Sequence, residues 1–282
     1  MKTIGERELL SFLSGSKRAS KVTVSEIRKD RGFFVTDYPD LAQRVAALSF
    51  YNPEFVMFFR GQGGDHKNIA KKSSIKPGVF RSERGTVSAP AMDVIRDRYG
   101  KLAGAEQQLA QIYEREKFIG RERIKRYRIL RWAILQHYEV CPTPLLDVSH
   151  SLRIAASFAT HSQSDECFVQ VIALPNLAGS VTASSEEGIQ VIRLSSICPP
   201  QALRPHFQEG YLVGEYPDMA SPDQKQLYSA YEVDFGLRLL GKFRFDPKTF
   251  WRRSPEFPLV HKDALYPNGA DPFYRAMREI QT

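Results

Sequence analysis

The chain has 282 residues, of which 42% are hydrophobic and 26% charged, and its formal net charge is +8 at pH 7. This composition is typical of a globular protein with enough apolar residues for a sizeable core. No apolar run reaches the roughly 18 to 20 residues that a membrane helix needs. The charges of Glu6, Arg7 and Glu8 stand where a secretory signal has its apolar region. We therefore expect a cytoplasmic protein without a membrane segment.

The cysteines and the missing motifs exclude several classes of site. Cys141, Cys167 and Cys198 are an odd number without metal-ligand spacing, so we interpret them as thiols in a reducing compartment. The sequence lacks the motifs of zinc peptidases, serine hydrolases and Rossmann dinucleotide sites. We therefore expect no metal and no bound redox cofactor. The positive charge favours an anionic partner such as a nucleotide or a nucleic acid.

The first half of the chain predicts helices around one strand. Residues 1–50 predict an N-terminal helical segment, most clearly over 38–50, where apolar residues recur at helical spacing. Residues 54–61 form a compact apolar run typical of a β-strand, and a loop rich in glycine, lysine and serine follows. Residues 92–138 return to helical spacing and predict a helical insertion.

The second half of the chain predicts mostly strands. A short strand is expected at 145–149 and a helix at 151–160. Further strands are expected at 167–174, 188–194, 209–216 and 234–245. We predict a single α+β domain with a mixed or antiparallel β core, because the sequence shows no repeat and no break in composition. Its parts are the N-terminal helical segment (1–50), the central domain (51–245) and an irregular, proline-rich tail packed on the core (246–282).

The first candidate site lies where the strand at 54–61 ends, in Arg60-Gly61-Gln62-Gly63-Gly64. Glycines after a strand let backbone N–H groups approach an anion, and a neighbouring guanidinium adds a two-pronged donor for phosphate or carboxylate. The alternative interpretation is a strand-end arginine beside a flexible loop, since glycine needs no ligand to explain it.

Two more candidate clusters lie near the predicted strand at 145–149, one at the end of the preceding helix and one in the strand itself. His137 ends the preceding helix, where it can bind a ligand or act as a general acid or base, although the helix dipole alone favours a histidine there. Asp147 follows two leucines and needs a partner, for which Arg60 and His137 are available. Ser149 and Ser151 can either cap the helix at 151–160 or form a polar pocket at its positive end.

The last candidates are Gln208 and Glu209, at the start of the strand at 209–216. Either can bind a ribose or orient a nucleophile, and the alternative is a polar strand entrance. Because neighbouring strand residues point to opposite faces, only one of them can face a pocket. A basic stripe could bind nucleic acid, but its positions surround the helix and favour a solvated surface. The stripe consists of Arg121, Arg123, Lys125, Arg126, Arg128 and Arg131.

Three of these stretches together resemble the FRG domain, a family named for its Phe-Arg-Gly motif. FFRGQ at 58–62 carries that motif, and the pair Phe80-Arg81 follows it as in the family. QHYEVCPTPLLDVSHSLRIAASFA at 136–159 resembles the second block of the family, and RPHFQEGYL at 204–212 is similar to the third. The chain departs from the pattern at Glu139, where the family usually has glycine, and at Pro144, where many members have arginine.

The resemblance implies a function. FRG proteins are bacterial and phage-associated, and the family is linked to defence or toxin-like settings. The order of elements also resembles that of ADP-ribosyltransferases, in which an early arginine grips the phosphates of NAD. The resemblance thus implies an ADP-ribosyltransferase-like sheet with NAD as substrate. The implied binding residues are Arg60, Gly61, Gln62, Arg81, Asp147, Ser149 and Arg204, and the implied catalytic residues are Gln208, Glu209 and His137.

Three hypotheses follow. The protein is an NAD-using transferase or glycohydrolase, in which Glu209 is critical because a glutamine such as Gln208 cannot serve as a general base. Alternatively, it is a non-catalytic module that binds a nucleotide or nucleic acid through Arg60 and the basic helices. In the third hypothesis Arg60, Asp147 and His137 form a buried structural network.

Overall fold

A mixed sheet of eight strands forms the centre of the computed structural model, in which residues 1–4, 8–82, 88–176, 178–227 and 233–282 are described. The described strands are β1 (Leu9–Ser11), β2 (Ser20–Val22), β3 (Phe33–Phe34), β4 (Val56–Gln62), β5 (Leu146–Ser149), β6 (Cys167–Leu174), β7 (Val181–Ser184), β8 (Ile189–Arg193), β9 (Gly210–Glu215) and β10 (Leu239–Phe245). The large sheet has the order β3-β10-β6-β4-β5-β9-β8-β7, while β1 pairs with β2. The described pairs are antiparallel except β3 with β10.

The helices surround this sheet. They are α1 (Val24–Lys29), α2 (Tyr38–Tyr51), α3 (Met92–Arg115), α4 (Arg121–Arg126), α5 (Arg128–His137), α6 (Leu152–His161), α7 (Leu194–Ile197), α8 (Arg204–Phe207), α9 (Pro247–Phe250), α10 (Lys262–Leu265) and α11 (Pro272–Met277). The predicted α+β class with a mixed β core is confirmed, and α3, α4 and α5 form the predicted helical insertion. Among the described residues, no helix has both the length and the apolar character needed to cross a bilayer.

Two hydrophobic clusters hold the elements together. One joins the central strands β4, β6 and β10 to α2 and α6, and every residue of β6 is buried. The other joins α3 and α5 to α11, to Ile192 of β8 and to Leu212 of β9. A central strand buried on both faces needs a nearly continuous apolar run, which is why CFVQVIAL forms β6.

The strand order brings together segments that are distant in the sequence. β4 pairs with β6 from Val56 to Gln62, and on its other side Phe59 pairs with Ser149 of β5. β5 pairs in turn with β9, from Leu146–Val213 to Ser149–Gly210. The end of β4, the strand β5 and the start of β9 therefore lie side by side.

The sequence predicted a helical segment at residues 1–50, but only part of this segment is helical. Residues 38–50 do lie in α2, but 1–50 also contain β1, β2 and β3. The helices begin where a side chain caps them, at Thr23 for α1 and Asp37 for α2. Outside these helices the chain forms short strands: β1 pairs with β2, and β3 pairs with β10.

Three further differences have local causes. Strand β10 begins at Leu239 rather than 234, because Asp234 caps a short 3-10 turn before it. The tail from 246 contains α9, α10 and α11, which Asp246, His261 and Asp271 cap through their side chains. Strand β7 was not predicted, because this polar edge strand has no continuous apolar run.

Candidate functional site

A cavity of about 460 Å³ opens where the end of β4 meets β5, α5 and α8. Eight of the ten residues expected from the sequence line it: Arg60, Gly61, Arg81, His137, Asp147, Ser149, Arg204 and Gln208. Gln62 and Glu209 are not part of its wall. The volume lies within the range of about 300 to 1,000 Å³ that is usual for small-molecule sites.

Arg60 projects from β4 and contacts β5. Its terminal nitrogen NH1 donates to the backbone carbonyl of Asp147 at 2.5 Å, while its Nε is buried with no partner among the described residues. Burial, followed by the positive charge of Arg81, lowers the pKa of the Arg60 guanidinium to about 10. The group therefore remains a cation at neutral pH and keeps an unused donor.

Asp147 joins Arg60 to the end of α5. Its carboxylate accepts a hydrogen bond from Gln136 Nε2 at 2.8 Å and lies 3.5 Å from His137 Nδ1. Burial raises the pKa of this carboxyl, but the contacts with His137, Arg60 and Gln136 together lower it below its ordinary value. Asp147 is therefore ionised at neutral pH.

His137 is buried, and burial lowers the pKa of its imidazole despite the opposing contact with Asp147. The ring is therefore neutral at pH 7. Its Nε2 is buried with no partner among the described residues. A neutral imidazole that faces a carboxylate through Nδ1 leaves Nε2 as its free polar atom.

Gln136 belongs to the site although the sequence analysis assigned it no role. Besides its bond to Asp147, its Oε1 accepts hydrogen bonds from the backbone N–H and the hydroxyl of Thr143, at 3.1 and 3.0 Å. Gln136 thus ties the loop between α5 and β5 to the carboxylate. The available signal was its position directly before His137 in the second FRG-like block.

Arg204 lines the cavity together with Glu139 and Tyr266, two residues that sequence reasoning missed. Its guanidinium pairs with Glu139 at 2.7 Å and lies 4.6 Å from the ring centre of Tyr266. Tyr266 also packs edge-to-face on Phe158, with ring centres 5.7 Å apart. Glu139 has a φ of +56°, a left-handed conformation that glycine adopts without strain. This geometry explains why the family pattern has glycine there.

Ser149 and Gln208 line the cavity, yet the backbone occupies their side chains. Ser149 Oγ donates to the carbonyl of Gln208 at 2.9 Å and accepts from the N–H of Ser151 at 3.0 Å. Gln208 Nε2 donates to the carbonyl of Leu265 at 2.8 Å. The expected capping of α6 by a serine is wrong, because Ser151 is the N-cap without a side-chain bond. Ser149 and Gln208 instead tie β5, α8 and the tail together.

Glu209 is exposed in the turn between α8 and β9, with a φ of +44°. The expected strand starts one residue later, at Gly210, so strand alternation does not decide the orientation of Gln208 and Glu209. The cavity is lined by Gln208. Its wall therefore lacks the Glu209 carboxylate that the ADP-ribosyltransferase-like hypothesis made critical.

Gly61 and Gln62 have other surroundings than a phosphate loop. A Cβ on Gly61 would lie 1.7 Å from the carbonyl oxygen of Ala155, so glycine is required for the close contact between β4 and α6. Gln62 is the last residue of β4, and its Oε1 is buried with no partner among the described residues. Neither observation requires a ligand at these two positions.

Part of the basic stripe is paired with nearby acids. Lys125 pairs with Glu114 at 2.6 Å, and Arg131 and Arg128 pair with Glu106 at 2.9 and 3.4 Å. These contacts favour the solvated-surface interpretation over a nucleic-acid site. Within the described ranges, no group of three or more His, Cys, Asp and Glu side chains is placed to hold a metal ion.

The family comparison covers the central part of this site. The family model of the FRG domain matches residues 56–167, which include Arg60, Arg81, His137 and Asp147. Arg204, Gln208 and Tyr266 lie outside the matched range and complete the cavity from the C-terminal side. Comparisons with curated proteins and with solved structures gave no match. The motifs, their order and the match to the family model identify residues 56–167 as an FRG domain.

Proposed function

We propose that the cavity binds a dinucleotide of the NAD type and that the protein cleaves the N-glycosidic bond to nicotinamide. The observation that carries this proposal is the convergence of three guanidinium groups, those of Arg60, Arg81 and Arg204, on one cavity that also holds Asp147 and His137. A guanidinium binds phosphate through paired charged hydrogen bonds, and several are needed for a pyrophosphate. Tyr266 and Phe158 add an aromatic wall suited to a base or a nicotinamide ring.

Asp147 is the carboxylate available for the chemical step. It is ionised and its side chain is 36% exposed, so it can stabilise the positive charge that develops on the ribose. The bond between ribose C1′ and the nicotinamide nitrogen breaks, and its electron pair stays on nicotinamide. A water oxygen then bonds to C1′ and releases a proton, for which neutral His137 is the nearby acceptor. The products are nicotinamide, ADP-ribose and a proton.

Transfer of ADP-ribose to another molecule is the related reaction, in which an acceptor nucleophile replaces the water. An enzyme that consumes NAD harms the cell that holds it, which is consistent with the toxin-like or phage-defence setting implied by the family resemblance. The described cysteines are unpaired, which is consistent with a reducing compartment and supports the cytoplasm as the location.

The test uses purified protein with NAD and follows nicotinamide release by chromatography. We expect release by the native protein and loss of about 100-fold or more in Asp147→Asn, because the variant removes the stabilising charge. Arg60→Ala should mainly raise the KM, since it removes a phosphate contact. Arg121→Ala, an exposed arginine outside the cavity, is the matched control and should leave the activity unchanged.

A second candidate is a non-catalytic nucleotide-binding domain. It is favoured by the position of Glu209 outside the cavity and by the backbone bonds that occupy Ser149 and Gln208. This candidate predicts that calorimetry detects binding of ADP-ribose while no nicotinamide is released. If neither binding nor release occurs with folded protein, both candidates are wrong and the motif residues are structural.

A further inference from the structure

Glu139 combines features that a purely structural ion pair does not need. Its side chain is 65% exposed, yet it bonds at 2.7 Å to a guanidinium that is only 4% exposed. Its backbone has a φ of +56°, which is unfavourable for any residue with a Cβ. A carboxylate that is mostly exposed to solvent is thus held, at some cost in backbone strain, against a buried cation in the cavity wall.

Arg204 is fixed by its surroundings. Its backbone N–H donates to the Asp271 carboxylate at 3.1 Å, and its guanidinium lies 4.6 and 5.8 Å from the ring centres of Tyr266 and Tyr138. Its Nε is buried with no partner among the described residues. The guanidinium therefore cannot leave the cavity wall easily, but it has donors to spare. Glu139, in contrast, can move into water without burying charge.

We propose that Glu139 is an internal anion that occupies Arg204 until an anionic group of the ligand displaces it. The inference rests on the proposed function in one respect, namely that the cavity takes a phosphorylated ligand. Binding of a phosphate at Arg204 releases Glu139 to solvent, and the two anions compete for the same guanidinium donors.

The competition sets which ligands bind. While Glu139 is in place, the carboxylates of Glu139 and Asp147 offset most of the charge of the three arginines, because His137 is neutral. With Glu139 displaced, three guanidinium groups face one carboxylate, an excess of two positive charges. A pyrophosphate carries enough negative charge to match this excess, whereas a ligand with one singly charged group leaves part of it unmatched. Glu139 therefore selects a ligand with two adjacent phosphates.

The test measures inorganic pyrophosphate and phosphate binding by calorimetry at low salt, in the native protein and in Glu139→Gln and Glu139→Gly. Both variants remove the carboxylate, and the second also removes the left-handed strain. We expect pyrophosphate to bind on the order of tenfold tighter in both. Glu54→Gln makes the same charge change at an exposed residue outside the cavity and should change binding by less than about twofold. Combining Glu139→Gln with Arg204→Ala should abolish the gain.

The outcomes separate this inference from the proposed function. Tighter pyrophosphate binding in both variants, without consumption of NAD by any of them, supports the internal anion and contradicts the glycosidic cleavage. Equal gains in Glu54→Gln and Glu139→Gln would show a general charge effect and overturn the inference. Unchanged, weaker or undetectable pyrophosphate binding in the Glu139 variants would also overturn it, provided that thermal unfolding shows them to be folded.

Discussion

Two cationic clusters contact the loop and strands around β4, and they differ in how completely their polar atoms are paired. The first, the Lys242 cluster, consists of Arg28, Asp65, Ser73, Asp234 and Lys242. The Lys242 ammonium donates to Asp65 and to the Ser73 hydroxyl, each at 2.7 Å. Its third bond is to the backbone carbonyl of residue 30. Arg28 donates to the Ser73 carbonyl at 2.7 Å and to Asp234 at 2.5 Å.

The cavity cluster contains similar groups but leaves several of them unpaired. Arg60 Nε, His137 Nε2 and Arg204 Nε are buried without a partner among the described residues. None of the five residues of the Lys242 cluster has such an atom in the described part of the chain. A cavity adjoins the unpaired groups, and none of the Lys242 cluster residues lines it.

The difference indicates a different purpose for each cluster. A buried cation whose donors are all paired holds the surrounding segments in place. Here it ties the loop after β4 to α1 and β10, which fixes the strand that carries Arg60. Buried donors beside a cavity are costly unless a ligand or water completes them, so they favour a binding site. What distinguishes the two clusters is the pairing of their donors together with the cavity that adjoins only the unpaired ones.

The largest expected effect is on the paired cluster. Asp234→Ala leaves the Arg28 guanidinium buried without its carboxylate and also removes the acceptor of the Ile75 and Gly236 N–H groups. We expect a loss of about 3–5 kcal/mol in the free energy of unfolding, measured by urea titration. Asp147→Ala, in the cavity cluster, should cost only about 1–2 kcal/mol because its carboxylate is partly open to solvent.

The control for this pair of variants is Asp165→Ala. Asp165 is exposed and lies 3.6 Å from Lys248, so its loss should change stability by no more than about 0.5 kcal/mol. If Asp147→Ala destabilises the protein as much as Asp234→Ala, the cavity cluster is also a structural network. The third hypothesis from the sequence would then replace the proposed function.

Much of the architecture could be predicted because the sheet is built from continuous apolar runs. CFVQVIAL matches β6 residue for residue, and the strands carrying Arg60 and Asp147 were located within a residue or two. The meeting of Arg60, His137 and Asp147 could also be predicted, since a carboxylate behind two leucines needs a partner and the family motifs name the other two.

The Lys242 cluster and the rest of the cavity wall could not be predicted, because no local sequence pattern indicates them. The Lys242 cluster joins residues far apart in the sequence, and no spacing rule relates Arg28 to Asp234. Tyr266 lies in a tail without periodicity, where only the capped turns fix the position of the chain. Glu209 was misplaced because a single residue in a left-handed turn moves the start of β9, and strand limits are set by such turns rather than by the apolar pattern.

Gln170 offers a smaller test, because it lies between the two clusters. In β6 it is paired with Arg60 of β4 on one side and Lys242 of β10 on the other, so the three side chains share one face. Both polar atoms of its amide are buried with no partner among the described residues. Gln170→Leu removes these atoms at similar volume, and we expect a gain of about 1 kcal/mol in the free energy of unfolding.

Gln190→Leu is the matched control for that variant. Gln190 is also buried, but its Nε2 donates to the carbonyl of Glu215 at 2.6 Å and to Asp218, so its loss should destabilise the protein by about 1 kcal/mol or more. Opposite signs for the two glutamines, measured by urea titration, support the contrast between paired and unpaired groups. A loss of stability in Gln170→Leu would mean that the amide is paired in solution, for example by internal water.

The smallest expected effect is a pH dependence that comes from His137. Burial places its folded-state pKa below the ordinary value of about 6.5, so the unfolded chain takes up the proton first as the pH falls. The stability contributed by the neutral ring is therefore present above about pH 6.5 and is lost as the pH falls below that value. Asp147 stays ionised in this window, because its own pKa is lowered.

We expect the native protein to lose stability between pH 7.5 and 5.5. His137→Asn, which keeps a donor for Asp147 but does not titrate, should lose less over the same interval. Equal losses in urea titrations at the two pH values would show that the imidazole is hydrated, and that the cavity is more open to water than its unpaired donors indicate.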